Sequence, residues 1–254
     1  VLCSEVMANF GSHHPELIER VNGIFPEAQT QLYCVLRRPD DYLVSWHAQR
    51  LRFGDKVPAL SDGAALKYTG SIHFNYHMVV KPWAETFAGR PLHLRSYSDV
   101  TRAGGSVEDF FAASGIDLPG GLTNPGRANE SLPRAAMEIA RRGNQDLPPE
   151  DAGALRQYLL TGLGGIGHVP NSDVEMFGAD LRAELAEKFA PVHAYLSQLA
   201  GRAAFFEDID DMTRSRPVPE AEAMADLLSR IPPEALPNDA VRGFIRTLAR
   251  DHAA

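Results

Sequence analysis

The chain has 254 residues, 44% of them hydrophobic, a formal charge of −8 and a sequence pI near 5.6. That length and apolar content suffice for one sizeable core with a helical extension, and the acidic balance leaves no basic footprint for nucleic acid. No run approaches the ~20 apolar residues of a membrane span and no signal peptide is visible; the two cysteines, Cys3 and Cys34, read as small core residues of a reducing, cytoplasmic compartment.

In chain order, residues 1–3 read as the end of a buried strand and 4–12 as a loop. Residues 15–23 form a short helix with proline at its start and glycine at its end. The apolar run at 31–36 is too short for a helix and rich in Val, Tyr and Cys, which predicts a buried strand. It stops on Arg37 and Arg38, and Pro39, with its fixed φ and missing N–H, then opens a helix over 40–53. A loop at 54–62 leads to one or two helices over 64–87, interrupted near Gly70 and Pro82. A strand at 91–97 and a helix at 107–114 follow. Beyond them no strand stands out, and 132–142, 152–163 and 174–199 are helical. Residues 207–219 are acidic, then basic, with prolines, and read as a linker or a wrapping arm. Amphipathic helices at 221–231 and 240–250 close the chain, with surfaces for the domain or for a second subunit, so that a homo-oligomer through them stays open.

A strand ending in two arginines and passing into a helix puts cationic forks at the carboxyl edge of a sheet, where anionic ligands bind in α/β proteins. Ser45, eight residues after Arg37, returns to roughly the same side of the helix, and guanidinium with hydroxyl suits a phosphate. The alternative is an ordinary ion pair of Arg37 or Arg38 with Asp40 or Asp41.

The segment Arg-x-Pro-x-Asp, then an apolar step and Ser, resembles the 3′-phosphate motif of sulfotransferases that use 3′-phosphoadenosine 5′-phosphosulfate. LCSE at 2–5 resembles the strand-end Ser-Glu of bacterial sulfotransferase-like proteins, and LHLRSYSD at 92–99 with the helix after it resembles the family's strand and Tyr-x-Asp. GRANES at 126–131 resembles its later Asn-x-Ser segment. The resemblance spans roughly residues 1–206, and it implies an α/β fold, a P-loop nucleoside-triphosphate-hydrolase-like three-layer sandwich of mainly parallel strands flanked by helices, followed by a linker and helical extension at 207–254. The family's Gly-rich loop with lysine is absent. The chain starts at Val1, without methionine, as if inside a later strand, so the expectation is that an N-terminal segment is missing, cleaved or supplied elsewhere, with or without that loop. The glycine clusters 104–105, 120–121 and 163–167 lack GxxxxGK[ST] spacing and read as turns.

The resemblance further implies that Arg37 and Ser45 grip the 3′-phosphate, that Tyr97 contacts the adenine, and that a loop with Arg127, Asn129 and Ser131 folds over a phosphate; Ser131 is otherwise a helix cap and Tyr97 a core residue. Sulfuryl transfer needs charge stabilisation and removal of a proton, and lysine, arginine and backbone N–H groups can meet the first need, so no metal is expected. Glu5, in the Ser-Glu position, is the expected base for a sugar hydroxyl, unless it pairs with an arginine; His14 and His13 are its rivals. Arg95 faces the ligand or pairs with Asp99. His73, Tyr76, His77 and Trp83, on a helix over 73–83, line a sugar cleft or pack into the core, and Trp46 and His47 follow Ser45 on faces that point apart. The leading expectation is a sulfotransferase using a small-molecule or glycan acceptor. A P-loop small-molecule kinase and a non-catalytic nucleotide-binding module remain open beside it.

Overall fold

The computed structural model describes residues 1–25, 30–117, 120–121 and 131–252. It is mixed α/β and mostly helical. A 3-10 turn at Glu5–Asn9 leads into helices α1 (Phe10–His13) and α2 (Pro15–Ile24), strand β1 (Leu32–Leu36) and helix α3 (Pro39–Arg52). Helices α4 (Ala65–Tyr68) and α5 (His77–Thr86), strand β2 (Leu92–Ser96) and helices α6 (Tyr97–Arg102) and α7 (Ser106–Ser114) follow. Next come α8 (Arg134–Asp146), α9 (Pro149–Thr161), β3 (Val174–Glu175), α10 (Ala179–Leu199), a 3-10 turn at Ile209–Met212, β4 (Val218–Pro219), α11 (Glu220–Arg230) and α12 (Asp239–Asp251). Among the described residues no helix is long and apolar enough to cross a membrane.

The chain divides into two compact units. The first comprises Val1–Leu43, Leu66–Asn124 and Ala183–Met212; the second comprises Val44–Ala65, Pro125–Arg182 and Thr213–Ala254.

In the first unit β1 and β2 pair in parallel, in register from Leu32 opposite Leu92 to Leu36 opposite Ser96. Tyr33 and Arg95 lie on one face of this pair, and α7 covers that face through Asp109, which accepts the Tyr33 hydroxyl at 2.8 Å and the Arg95 guanidinium at 2.6 Å. Phe189 of α10 packs edge-on against Phe74 and Tyr76, with ring centroids 5.3 and 5.7 Å away. Helix α1 lies so close to α5 that a Cβ on Gly11 would meet the Met78 carbonyl oxygen at 2.2 Å. Only glycine fits there.

Several expectations change. Residues 1–3 are not a strand: they pair with neither β1 nor β2, and Val1 is 93% exposed. The Ser4 hydroxyl caps the turn that follows, accepting from the Val6 N–H, so the loop expected at 4–12 is helical. Cys3 is accordingly exposed, while Cys34 sits in β1 as expected. Helix α5 runs through Pro82 rather than breaking there, and His73–Tyr76 precede it as turns rather than as helix.

The second unit is helical. Helix α8 buries Ala135, Ala136, Ala140 and Gly143, and these small residues let neighbours approach closely; a Cβ on Gly143 would meet Leu155 of α9 at 2.4 Å. Helix α11 lays Ala223, Met224 and Leu227 on α8, and α12 buries Val241, Ile245 and Leu248. The parallel pair β3–β4 is only two residues long. The Glu175 carboxylate knots it together, accepting from the N–H groups of Phe177, Gly178 and Arg216 and from the Arg182 guanidinium.

Candidate functional site

Parallel pairing brings the carboxyl ends of β1 and β2 side by side, and each passes directly into a helix. After β1 the chain continues through Arg37 and Arg38 into α3, whose first turn carries Asp40 and Asp41, a favourable place for anions beside the exposed N–H groups. After β2, Tyr97 is the first residue of α6 rather than the last residue of the strand, because the Ser96 hydroxyl caps that helix by accepting from the Asp99 N–H at 3.1 Å.

The two arginines behave differently. Arg38 is 5% exposed and saturated with carboxylates. It donates to Asp40 at 2.7 and 3.1 Å, to Asp41 at 3.4 Å and to the Asp208 carboxylate at 2.6 Å, with Asp211 at 3.6 Å. Burial works against its charge, and Asp40, then Asp41 and Asp208, outweigh it, so the guanidinium is held above its ordinary range. Arg37 has no carboxylate partner among the described residues. Its guanidinium carbon lies 5.4 Å from the centroid of the Tyr97 ring, and that ring is 52% exposed. The backbone of Arg37 is fixed from behind by the buried Tyr76, whose hydroxyl donates to the Arg37 carbonyl at 2.6 Å.

Both readings of the Arg-Arg-Pro-Asp-Asp segment are therefore realised, on different residues. Arg38 forms the ion pair, and Arg37 stays available at the sheet edge.

A second network borders the edge on the β2 side. Asp99, 8% exposed, accepts from Arg102 at 2.5 Å and from Arg202 at 2.5 Å, while Arg102 also reaches Glu207 at 2.9 Å. Burial opposes the Asp99 charge, and Arg202, Ser96 and Arg102 together hold its carboxyl below the ordinary value. Sequence reasoning missed the Asp99–Arg202 and Arg38–Asp208 pairs, because their separations of 103 and 170 residues leave no local signal.

The other expected residues fall elsewhere. Arg95 pairs with Asp109 rather than with Asp99 or a ligand. Ser45 is exposed on α3, and its hydroxyl makes no hydrogen bond among the described residues. Glu5 opens the first 3-10 turn instead of ending a strand, and its side chain lies outside the described part. His14 is exposed beside Glu16, at 3.3 Å, and His13 contacts the Ser12 hydroxyl at 2.6 Å; neither touches Arg37 or Tyr97. Arg127 and Asn129 lie outside the described residues. Ser131 does not cap α8, which starts at Arg134 with its first N–H held by Asn171 at 2.8 Å. His47 belongs to the second unit, where burial, with Arg50 and Arg141 nearby, lowers its imidazole to about 4. An open cleft of about 380 Å³ in that unit is lined by His168, Glu222, Asp226 and Arg230. Its Asp226 and Arg230 neutralise one another at 2.7 Å, and the His168 Nδ1 is engaged by the Val169 carbonyl.

No family model matches the chain, and no solved structure matches it. Over 134 residues, 52% of its length, it is 28% identical to an uncharacterised protein of Archaeoglobus fulgidus, and the match spans 35% of that protein. The chain thus aligns with about a third of that relative's length.

Proposed function

We propose that this chain is a 3′-phosphoadenosine 5′-phosphosulfate-dependent sulfotransferase acting on a hydroxylated, sugar-like acceptor, with its nucleotide seated at the carboxyl edge of β1 and β2. One observation carries the reading. Of two consecutive arginines at that edge, Arg38 is consumed by carboxylates, while Arg37 has none among the described residues and stands against the exposed Tyr97 ring. A lone guanidinium beside an aromatic hydroxyl-bearing ring matches a ligand that is both anionic and aromatic, as a phosphorylated adenosine is.

In this reading Arg37 holds the 3′-phosphate and Tyr97 faces the adenine. The donor supplies the sulfuryl group. The chain's own residues fix the nucleotide and remove the acceptor proton, a role assigned to Glu5 with His14 as its rival. The three-layer sandwich of P-loop proteins is the fold this reading implies, and parallel strands feeding directly into α3 and α6 are compatible with it. A cytoplasmic location belongs to the same proposal.

The test is transfer of labelled sulfate from the donor nucleotide to a panel of sugars and other hydroxylated acceptors. Incorporation that is lost in Arg37→Ala is expected. Absence of transfer to every acceptor, together with absence of adenosine 3′,5′-bisphosphate binding, would overturn the proposal.

A further inference from the structure

The acidic segment near residue 207, which the sequence marks as a linker or wrapping arm, has a definite position. It leaves α10 at Leu199 and runs to the 3-10 turn at Ile209–Met212, and it is tied down at both helix junctions of the candidate site. The ties have opposite polarity. At the β1–α3 junction the site provides the cation, Arg38, and the segment provides the carboxylates of Asp208 and Asp211. At the β2–α6 junction the site provides the carboxylate, Asp99, and the segment provides Arg202, while Glu207 takes the exposed side of Arg102. Arg37 directly precedes the first tie, and Tyr97 lies two residues before the second. Between the ties, Phe205 and Phe206 are buried beneath the segment, their ring centroids 4.8 Å apart, so the span is anchored by packing as well as by charge. One atom is poorly served: the Asp208 Oδ1 is buried without a hydrogen-bond partner, although its sister oxygen meets Arg38 at 2.6 Å.

We propose that residues 202–211 form a positioning strap, which orders the two strand–helix junctions and thereby sets how Arg37 and Tyr97 stand toward a ligand. The proposal rests on the reading of that edge as a nucleotide seat. Asp208, Asp211 and Arg202 are positioning residues in this account, since each acts through Arg38 or Asp99. Opposite polarity gives the strap a single register: shifting it would set the carboxylates of 207–211 against Asp99 and Arg202 against Arg38, like charge on like.

The experiment is a double-mutant cycle on adenosine 3′,5′-bisphosphate affinity, combining Asp208→Asn/Asp211→Asn with Arg37→Ala. Both aspartates are partly exposed, so the isosteric changes should leave the unit folded. The strap variant should weaken binding about tenfold in the wild-type background and less than about twofold in the Arg37→Ala background, because a group acting through Arg37 has nothing left to position. Equal losses in both backgrounds, or no loss in either, would overturn the proposal. Arg202→Gln should also weaken binding, with Arg202→Lys restoring most of it. Amide exchange without ligand separates the strap from the nucleotide reading. If the wild-type protein binds no bisphosphate, the sulfotransferase reading falls, and the strap is then judged on residues 36–41 and 96–102 alone. These should exchange at least about tenfold faster in the strap variant, with α8 unchanged. Unchanged exchange at both junctions would contradict the strap in either case.

Discussion

Two buried ionic centres, Arg38 in the first unit and Glu175 in the second, share a plan and differ in what surrounds them. Each removes one charge from water and surrounds it with opposite partners. Glu175 is closed on every side: three backbone N–H groups and Arg182 fill its oxygens, and Arg182 in turn lies over the Phe177 ring at 5.2 Å. Arg38 is just as saturated, but the preceding residue, Arg37, carries the same charge with no carboxylate among the described residues, beside an exposed aromatic ring. A structural ion is marked by an excess of partners. A candidate ligand-binding ion is marked by their absence where the chain had acidic residues within reach.

If that contrast holds, the largest effect belongs to Arg38→Met. It strands the buried Asp40 with Asp41 and Asp208 around it, and removing one partner of a buried ion pair costs about 3–5 kcal/mol. Denaturant unfolding should show that loss, whereas a change below ~1 kcal/mol would make Arg38 a surface ion in effect.

Glu175 should contribute on a similar scale and expose it to acid. Burial opposes its charge, but Arg182 first, then the N–H groups of Arg216, Phe177 and Gly178, bring its carboxyl down to about 2 from the ordinary 4.5. A depressed carboxyl stabilises fully above pH ~4.5 and loses that contribution as pH falls through about 2, an amount of about 3 kcal/mol. Glu175→Gln should therefore be much less stable than wild type at pH 7 and nearly equal to it near pH 2.

Glu220 tests the opposite case, a charge without enough partners. Burial first, and the neighbouring Glu138 next, push its carboxyl up to about 8, with Arg141 pulling the other way. Glu138 is already bridged to Arg141 at 2.5 Å and to Arg142 at 2.8 Å. A raised carboxyl favours the fold below pH ~4.5 and takes that contribution away as pH rises through about 8. Glu220→Gln should be more stable than wild type at pH 9 and similar to it at pH 4. A variant no more stable at pH 9 would show that Glu220 finds a partner or water.

The smallest stability effect should be that of Arg37→Ala. It removes one partly exposed cation–π contact, worth less than ~1 kcal/mol. A larger loss would move Arg37 into the structural class with Arg38.

The parts of this molecule that are readable from sequence are those set by local pattern. The apolar runs that stop at Arg37 and at Ser96 give β1 and β2, and the helical spacing of Ala223, Met224 and Leu227, and of Val241, Ile245 and Leu248, gives α11 and α12 of the second unit. Residues 1–3 have strand composition but no partner ladder, and composition cannot supply one. Strands β3 and β4 are too short for any periodicity, and they form around the Glu175 knot. At the candidate site, the Arg37–Tyr97 meeting was legible because each directly follows one of two parallel strands. The choice of Arg38 as the saturated arginine was not, because its strongest partner besides Asp40 lies 170 residues away.

Calorimetry of two nucleotides on wild type and Arg37→Ala tests most directly whether Arg37 anchors a 3′-phosphate, as proposed. A charge-assisted contact of this kind is worth roughly 1.5–3 kcal/mol, or about one to two decades of affinity. The account predicts that Arg37→Ala weakens adenosine 3′,5′-bisphosphate by that amount and leaves adenosine 5′-monophosphate nearly unchanged. Equal losses for both nucleotides, or none for either, would contradict it.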